Sequence, residues 1–353
     1  MTLSAASSRL IALTDRSVLR VTGANAAHFL QGICTQDVPA ALERPAQSRA
    51  SPAAFLSPRG KVLADVILLP RDETEVWVDV HSSIAKNLYR LLMRHRLREP
   101  LKIEDVSSDL QVFGQLPTAA VSGSSGDSPT ELPEGFFEDP RYAAIGARAI
   151  LETSEGASLQ ASGSLDSYHA WRVCCGVPEG PGDLEIDETI PLHANLDFLN
   201  FISFNKGCYT GQELTTRTKH RGAVRKRFFQ LLASDVDFDC SSSSSSRHLP
   251  IPLELALGTS GTALPGGRPQ AAEVPSAEER AVMATKPKKD PSSCGTLHSV
   301  CGPVGLGILR VDGLMNNRED LVAKPDVFKA GTTLSTADGT PLTLRLPPYV
   351  FSE

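Results

Sequence analysis

An α+β fold ending in a small antiparallel β-barrel is the architecture the sequence predicts. Short strands and helices alternate through the first 222 residues without the regular strand-helix-strand period of a parallel sheet. After Gly222 only short, glycine-punctuated strands return, from Val224 to Ala233 and again near the C-terminus. A chain of 353 residues exceeds what one hydrophobic core organises, since cores stop growing at about 250 to 300 residues.

The elements follow in order. Val18 to Val21 reads as a strand. Gly23-Ala24-Asn25 then opens a short helix through Ala26, Ala27, Phe29 and Leu30 that closes at Gly32. Ala53 to Leu56 and Val62 to Leu69 form a hairpin across Ser57-Pro58-Arg59-Gly60, whose Pro and Gly suit a turn, and Val76 to Val80 is the next strand. From Ser82 to Arg98 the apolar residues Ile84, Leu88, Leu91 and Leu92 recur at helical spacing, with Ser82 as cap and Pro100 as stop. Lys86, Arg90 and Arg94 form a basic stripe on its other side, read as a solvated face. Leu101 to Val106 and Leu110 to Leu116 are further strands, and Ser122 to Pro133 is a polar loop.

Three segments are predicted: a flexible N-terminus over 1–12, a mixed α/β region over 13–222, and a C-terminal barrel over 223–353. An insertion at 236–293 interrupts the barrel. Its six consecutive serines, Ser241 to Ser246, and its tract KPKKDPSS offer too little apolar surface to offset the entropy of ordering, so it is expected to be disordered. Strands resume at Thr296 to Val300, Val304 to Val311 and Leu342 to Leu346.

Bulk composition excludes several classes. A formal net charge of -6 repels nucleic acid, so any anion must be gripped locally. No run reaches the roughly 18 apolar residues of a membrane span. The seven cysteines (Cys34, Cys174, Cys175, Cys208, Cys240, Cys294 and Cys301) contain no C-x-x-C pair, which argues against an intrinsic metal cluster and for a reducing compartment. The opening MTLSAASSRLIA, rich in Ser and Ala with no acid before Asp15, fits an organelle transit peptide or a frayed terminus.

The chemistry concentrates in FNKGCYTGQELTTRTKHRGAVRKR, Phe204 to Arg227. Thr210-Gly211-Gln212-Glu213 has the spacing of a capping box, which puts Cys208 just ahead of a helix N-terminus. Such a terminus and the nearby Lys206 both favour a thiolate, which makes Cys208 and Lys206 the candidate reactive pair. Gly207 and Gly211 let a ligand approach the backbone. A small cysteine buried in a tight turn is the competing reading.

The octapeptide KGCYTGQE, spanning Lys206 to Glu213 and including Tyr209 and Gln212, resembles the signature of the YgfZ family. Further resemblance lies in VTGANAAHFLQGICTQDV, FLSPRGKVLADVIL, DPRYAAIGAR and the closing PPYVF. The resemblance implies an aminomethyltransferase-like fold of two interwoven subdomains and a barrel around an opening that holds tetrahydrofolate. It implies a role in assembling four-iron four-sulfur proteins with A-type iron-sulfur carrier proteins as partners, in the mitochondrial matrix, with plastid or bacterial cytoplasm as alternatives.

Two departures from the transferases argue against classical turnover. Their paired aspartates are here Ala64-Asp65, and their Arg-x-Glu-Ala-Gly is here Arg172-Val173-Cys174-Cys175-Gly176. Asp65, the retained Arg172, and Asn195 and Asp197 in PLHANLDF are the pocket residues the resemblance implies, although Arg172 also suits a packing ion pair and Asn195 a turn. Arg225 and Arg227, two apart on a predicted strand, could grip a folate tail as bidentate forks or line a solvated face. A folate-dependent aminomethyl or demethylating transferase and a non-catalytic scaffold are the rival functions.

Overall fold

The computed structural model describes residues 9–117, 132–156, 159, 161–222, 224–233, 253–259, 293–301, 304–310, 332–336, 341–345 and 347–350. The chain opens with β1 (Arg9–Ala12), β2 (Arg16–Thr22), α1 (Ala26–Gln31), α2 (Val38–Leu42), β3 (Ser51–Leu56), β4 (Val62–Pro70) and β5 (Glu75–His81). Next come α3 (Ser82–Arg96), β6 (Lys102–Asp105), β7 (Leu110–Leu116), β8 (Phe136–Glu138), β9 (Ala147–Glu152), α4 (Thr153–Gly156) and α5 (Leu165–Cys174). The rest comprises α6 (Gly180–Asp183), α7 (Gln212–Arg221), β10 (Lys226–Ala233), β11 (Leu253–Thr259), β12 (Ser293–Cys301), β13 (Val304–Arg310), β14 (Thr332–Thr336) and β15 (Pro341–Arg345).

Two antiparallel sheets share the N-terminal part, one in the order β3-β4-β5-β2-β6 and the other β1-β7-β9-β8. They are interwoven, because β1 joins the second sheet and β2, three residues later, joins the first. The first sheet is buried on both faces. Alternate residues of β3 and β4 divide between two cores: Ala53, Phe55, Val66 and Leu68 pack with the helix-covered side, Ala54, Leu56, Ile67 and Leu69 with the central core. That two-sided burial is why these strands read as unbroken apolar runs.

The C-terminal strands pair in the order β10-β13-β12-β11-β14-β15, and β15 pairs back onto β10. Tyr349 seals this unit to the rest. Its hydroxyl donates to the Gly176 carbonyl at 3.1 Å and accepts from Asn195 Nδ2 at 2.9 Å. The tail from Pro347 to Val350 is thus a plug, and Gly176, at φ +77°, has no room for a Cβ against Pro347.

Several expectations need correction. The stretch 9–12 belongs to a sheet, since β1 pairs with β7 and Ile11 is fully buried; residues 1–8 lie outside the described ones. His81, not Ser82, caps α3, its Nδ1 accepting the Ser83 amide at 3.2 Å. Gly32 ends α1 in an ordinary right-handed conformation. Within 236–293, Leu253–Thr259 is strand β11, paired with β12 and β14. Leu253, Leu255 and Leu257 alternate there at the strand period, a signal overshadowed by the serine tract beside it. The remainder of that segment up to Ser292, and most of the loop from Ser122 to Pro133, lie outside the described residues.

Candidate functional site

Cys208 lies on an irregular loop before α7 and is exposed, which removes the buried-cysteine reading. Two glycines fix the start of α7. Gly211 takes φ +81° and Gly60, in the hairpin turn between β3 and β4, takes φ +75°. A Cβ on Gly211 would run into the Ser57 carbonyl and lie 2.8 Å from Leu56 Cβ, and one on Gly60 would lie 2.7 Å from Leu214 Cβ. The SPRG turn and the KGCYTGQE loop therefore interlock through backbone.

No capping box forms, because Gly211 is the N-cap and no side chain caps the helix. The exposed Glu213 does not reach back. Instead Gln212 folds over the loop, its Oε1 accepting the Tyr209 amide at 2.9 Å and its Nε2 donating to Cys208 Sγ at 3.7 Å. The Thr210 amide donates to the Gly32 carbonyl at 3.2 Å.

The Lys206 ammonium is turned inward. It donates to the carbonyls of Gln31 at 2.6 Å, Cys34 at 2.8 Å and Gln36 at 2.8 Å, and lies 5.1 Å from the Tyr209 ring centre. All three ammonium protons are thereby engaged, so none is left to bond the Cys208 thiol. Burial pushes the Lys206 pKa down, opposed by Cys34 and Asp37. Burial likewise raises the Tyr209 hydroxyl to about 12. Lys206 acts as a clip that pins the cysteine loop to residues 31–36, which corrects the reactive pairing at the level of direct contact.

The residues expected to hold folate do not assemble into an open pocket. Arg227 is buried against Asp197, with contacts of 2.5 and 3.1 Å, donates to the Leu192 carbonyl at 2.8 Å and stacks 4.2 Å from the Phe198 ring centre. Arg225 is exposed and precedes β10, so strand alternation never relates the two arginines. Arg172 is the packing ion pair, donating to Asp183 at 2.5 Å and to the Val177 carbonyl at 2.7 Å. Asn195, in a left-handed conformation at φ +58°, is buried and ties its loop to the Phe228 carbonyl and Tyr349. Asp65 is buried, accepts the Gly180 amide at 3.1 to 3.2 Å, and is raised in pKa by burial. A tail-gripping role does not fit arginines whose forks already serve internal carboxylates.

The sequence reading missed a buried charge network where the two sheets meet. Asp79 receives Arg16 Nε at 2.6 Å and also Arg148. Glu179 receives Arg141, Arg148 Nη2 at 3.1 Å and the Tyr168 hydroxyl at 2.9 Å, while Asp139 holds Arg141 through contacts of 2.7 and 2.9 Å. The Glu179 carboxyl, despite burial, is held well below the usual carboxylate range by Arg141, Arg16, Arg148 and Arg172. With Arg172 and Asp183 added, four arginines face four carboxyl groups, and Asp65, raised in pKa by burial, is the fifth acid. The DPRYAAIGAR segment, which supplies Asp139, Arg141 and Arg148, was the available signal. Among the described residues no three His, Cys, Asp or Glu side chains converge as a metal site.

No protein-family model matches the chain. Curated relatives do. The mitochondrial iron-sulfur cluster assembly factor IBA57 of Homo sapiens is 39% identical over 230 residues, covering 62% of this chain and 64% of that protein. The Mus musculus protein of the same name is 38% identical over 235 residues, with 62% and 64% covered. The chain is a homologue of the IBA57 proteins. The IBA57 homologue of Neurospora crassa matches at 33% over 237 residues, 62% of this chain and 52% of that one. The chain thus spans less than two thirds of the length of these IBA57 relatives. In fold it is similar to the crystal structure of glycine cleavage system aminomethyltransferase T from Bartonella henselae, with a TM-score of 0.60, 17% identity, and 97% of this chain and 86% of that one covered. That likeness carries the aminomethyltransferase fold expected from the YgfZ resemblance.

Proposed function

We propose that this chain is an iron-sulfur cluster assembly factor of the mitochondrion, acting through Cys208. The supporting observation is the exposed thiol on a loop made rigid by the Lys206 clip and the Gly60–Gly211 interlock. An immobilised, accessible sulfur is suited to meet a partner's cluster or thiol at small entropic cost. The IBA57 names of the relatives support the same reading.

The finer reading assigns it to the matrix, with A-type carriers as partners and four-iron four-sulfur proteins as clients. It treats the ring of C-terminal strands as a closed antiparallel barrel, supported by the ladder that returns from β15 to β10. Reduced folate is the part the geometry supports least, since of Asp65, Arg172, Asn195, Arg225 and Arg227 only Arg225 is exposed. A transferase reading is disfavoured by the same geometry, because Asp65 sits behind the Gly180 amide.

Complementation of a cell line lacking its own IBA57 tests the proposal. Wild-type chain should restore four-iron four-sulfur enzyme activity and a Cys208→Ser variant should not. Equal rescue by both would reduce the chain to a scaffold. Calorimetry with tetrahydrofolate tests the cofactor separately.

A further inference from the structure

A cleft of about 890 Å³ lies between α1 and the last turn of α3 with the chain that follows it. Its floor is apolar, from Phe29 and Ile33, and its rim carries His28, His95, Arg96 and Arg98 against one acid, Glu99. The acid is engaged by Asn25 at 3.4 Å. Arg96 donates to the Leu101 carbonyl at 2.9 Å, and its buried Nε has no partner.

Leu97 stands on this rim in an unusual state. It is 83% exposed, the most exposed large apolar residue among those described, and its backbone takes φ +48° and ψ -111°, a conformation natural only to glycine. Strain held at an exposed apolar side chain has no packing reason and points to function. The outer face of α3 adds exposed Lys86, Arg90 and Arg94, four residues apart, leading towards Arg98. The helix dipole accounts for cations in the last turn but not for Lys86 and Arg90 further back. On a chain of net charge -6, this is a local reversal of sign.

We infer that this cleft docks an acidic, leucine-bearing segment of a partner protein. The apolar side chain would pack between Leu97 and Phe29 while its carboxylates meet Arg96, Arg98 and the α3 stripe. The cleft also adjoins the cysteine loop, for Gln31 and Cys34, which flank the cleft residue Ile33 in the chain, receive the Lys206 ammonium, and Gly32 receives the Thr210 amide. A partner seated there is brought next to Cys208. The inference does not depend on what Cys208 does.

Fluorescence anisotropy of a labelled glutamate- and leucine-rich helical peptide, titrated with the full chain, is the test. Binding should weaken as salt rises. Arg98→Glu should weaken it about tenfold, and Arg44→Glu, a basic position away from the cleft, should leave it unchanged. Leu97→Gly should weaken binding about tenfold while raising the thermal midpoint by a few degrees, roughly what relief of modest strain gives in a chain this long. The inference is overturned if a lysine-for-glutamate peptide binds as well, if the Arg98 and Leu97 variants bind like wild type, or if Leu97→Gly lowers the midpoint. It is also overturned if phosphatidylserine vesicles bind through these residues in preference to the peptide, which would make the face a membrane contact.

Discussion

Gly60 and Gly211, separated by most of the α/β region in sequence, meet so closely that a Cβ on Gly60 would lie 3.0 Å from the Gly211 carbonyl oxygen. Both are in left-handed conformations. The hairpin turn between β3 and β4 and the loop bearing Cys208 are therefore one structural unit.

Gly211→Ala adds both steric overlap and an unfavourable φ. It should destabilise the chain by about 1 to 3 kcal/mol and displace the cysteine loop. Denaturant unfolding gives the first quantity. Alkylation of Cys208, followed by mass spectrometry, gives the second as a changed rate with the other thiols unaffected.

Lys206→Met should act through order rather than charge, because the ammonium bonds three carbonyls and no sulfur. Loss of these charged contacts should cost about 1.5 to 3 kcal/mol. Hydrogen exchange is expected to accelerate together at 31–36 and 205–210. Acceleration confined to the cysteine loop would contradict the clip.

The central network predicts a pH dependence with two opposing parts. Glu179 keeps its charge in the folded chain to a lower pH than in the unfolded one, so the unfolded chain takes up the proton first and stability falls as pH drops below the ordinary value of 4.5. Asp65, raised by burial, behaves oppositely, and its contribution declines as pH rises above 3.8. Glu179→Gln should therefore cost about 3 to 5 kcal/mol at neutral pH, by leaving Arg141 and Arg148 short of a buried partner, and should flatten the acid limb. Asp65→Asn should cost about 1 kcal/mol or less at neutral pH and remove the opposing slope. Urea unfolding from pH 3 to pH 8, at about six intervals, reads both.

Arg227→Ala leaves the buried Asp197 with only Lys219, at 3.5 Å, as a counter-charge and should cost about 3 kcal/mol. Arg225→Ala, at an exposed position, should stay within about 0.5 kcal/mol. Thermal unfolding of the two variants distinguishes a structural ion pair from a ligand clamp. Equal, small effects would reinstate the clamp.

Deletion of 236–293 removes β11 from between β12 and β14, so it should open the C-terminal ladder and abolish cooperative unfolding of that unit. A truncation that keeps Leu253–Thr259 tests whether the strand is the reason. Circular dichroism and soluble yield should separate the two.

The sequence by itself determined the elements that local chemistry specifies. The β3–β4 hairpin follows from Ser-Pro-Arg-Gly between apolar runs, and α3 follows from Ile84, Leu88 and Leu92 on one face. The octapeptide around Cys208 was legible through its resemblance to the YgfZ signature, and of its two glycines only Gly211 takes a left-handed angle. What the tertiary structure alone decided is which partner each charged side chain takes. Lys206 turns from Cys208, two residues away, to Gln31, 175 positions back. Arg227 turns to Asp197 and Arg16 to Asp79. A desolvated charge must find its counter-charge wherever the fold delivers one, and spacing along the chain carries no information about carboxylates brought in from a neighbouring strand or a distant loop.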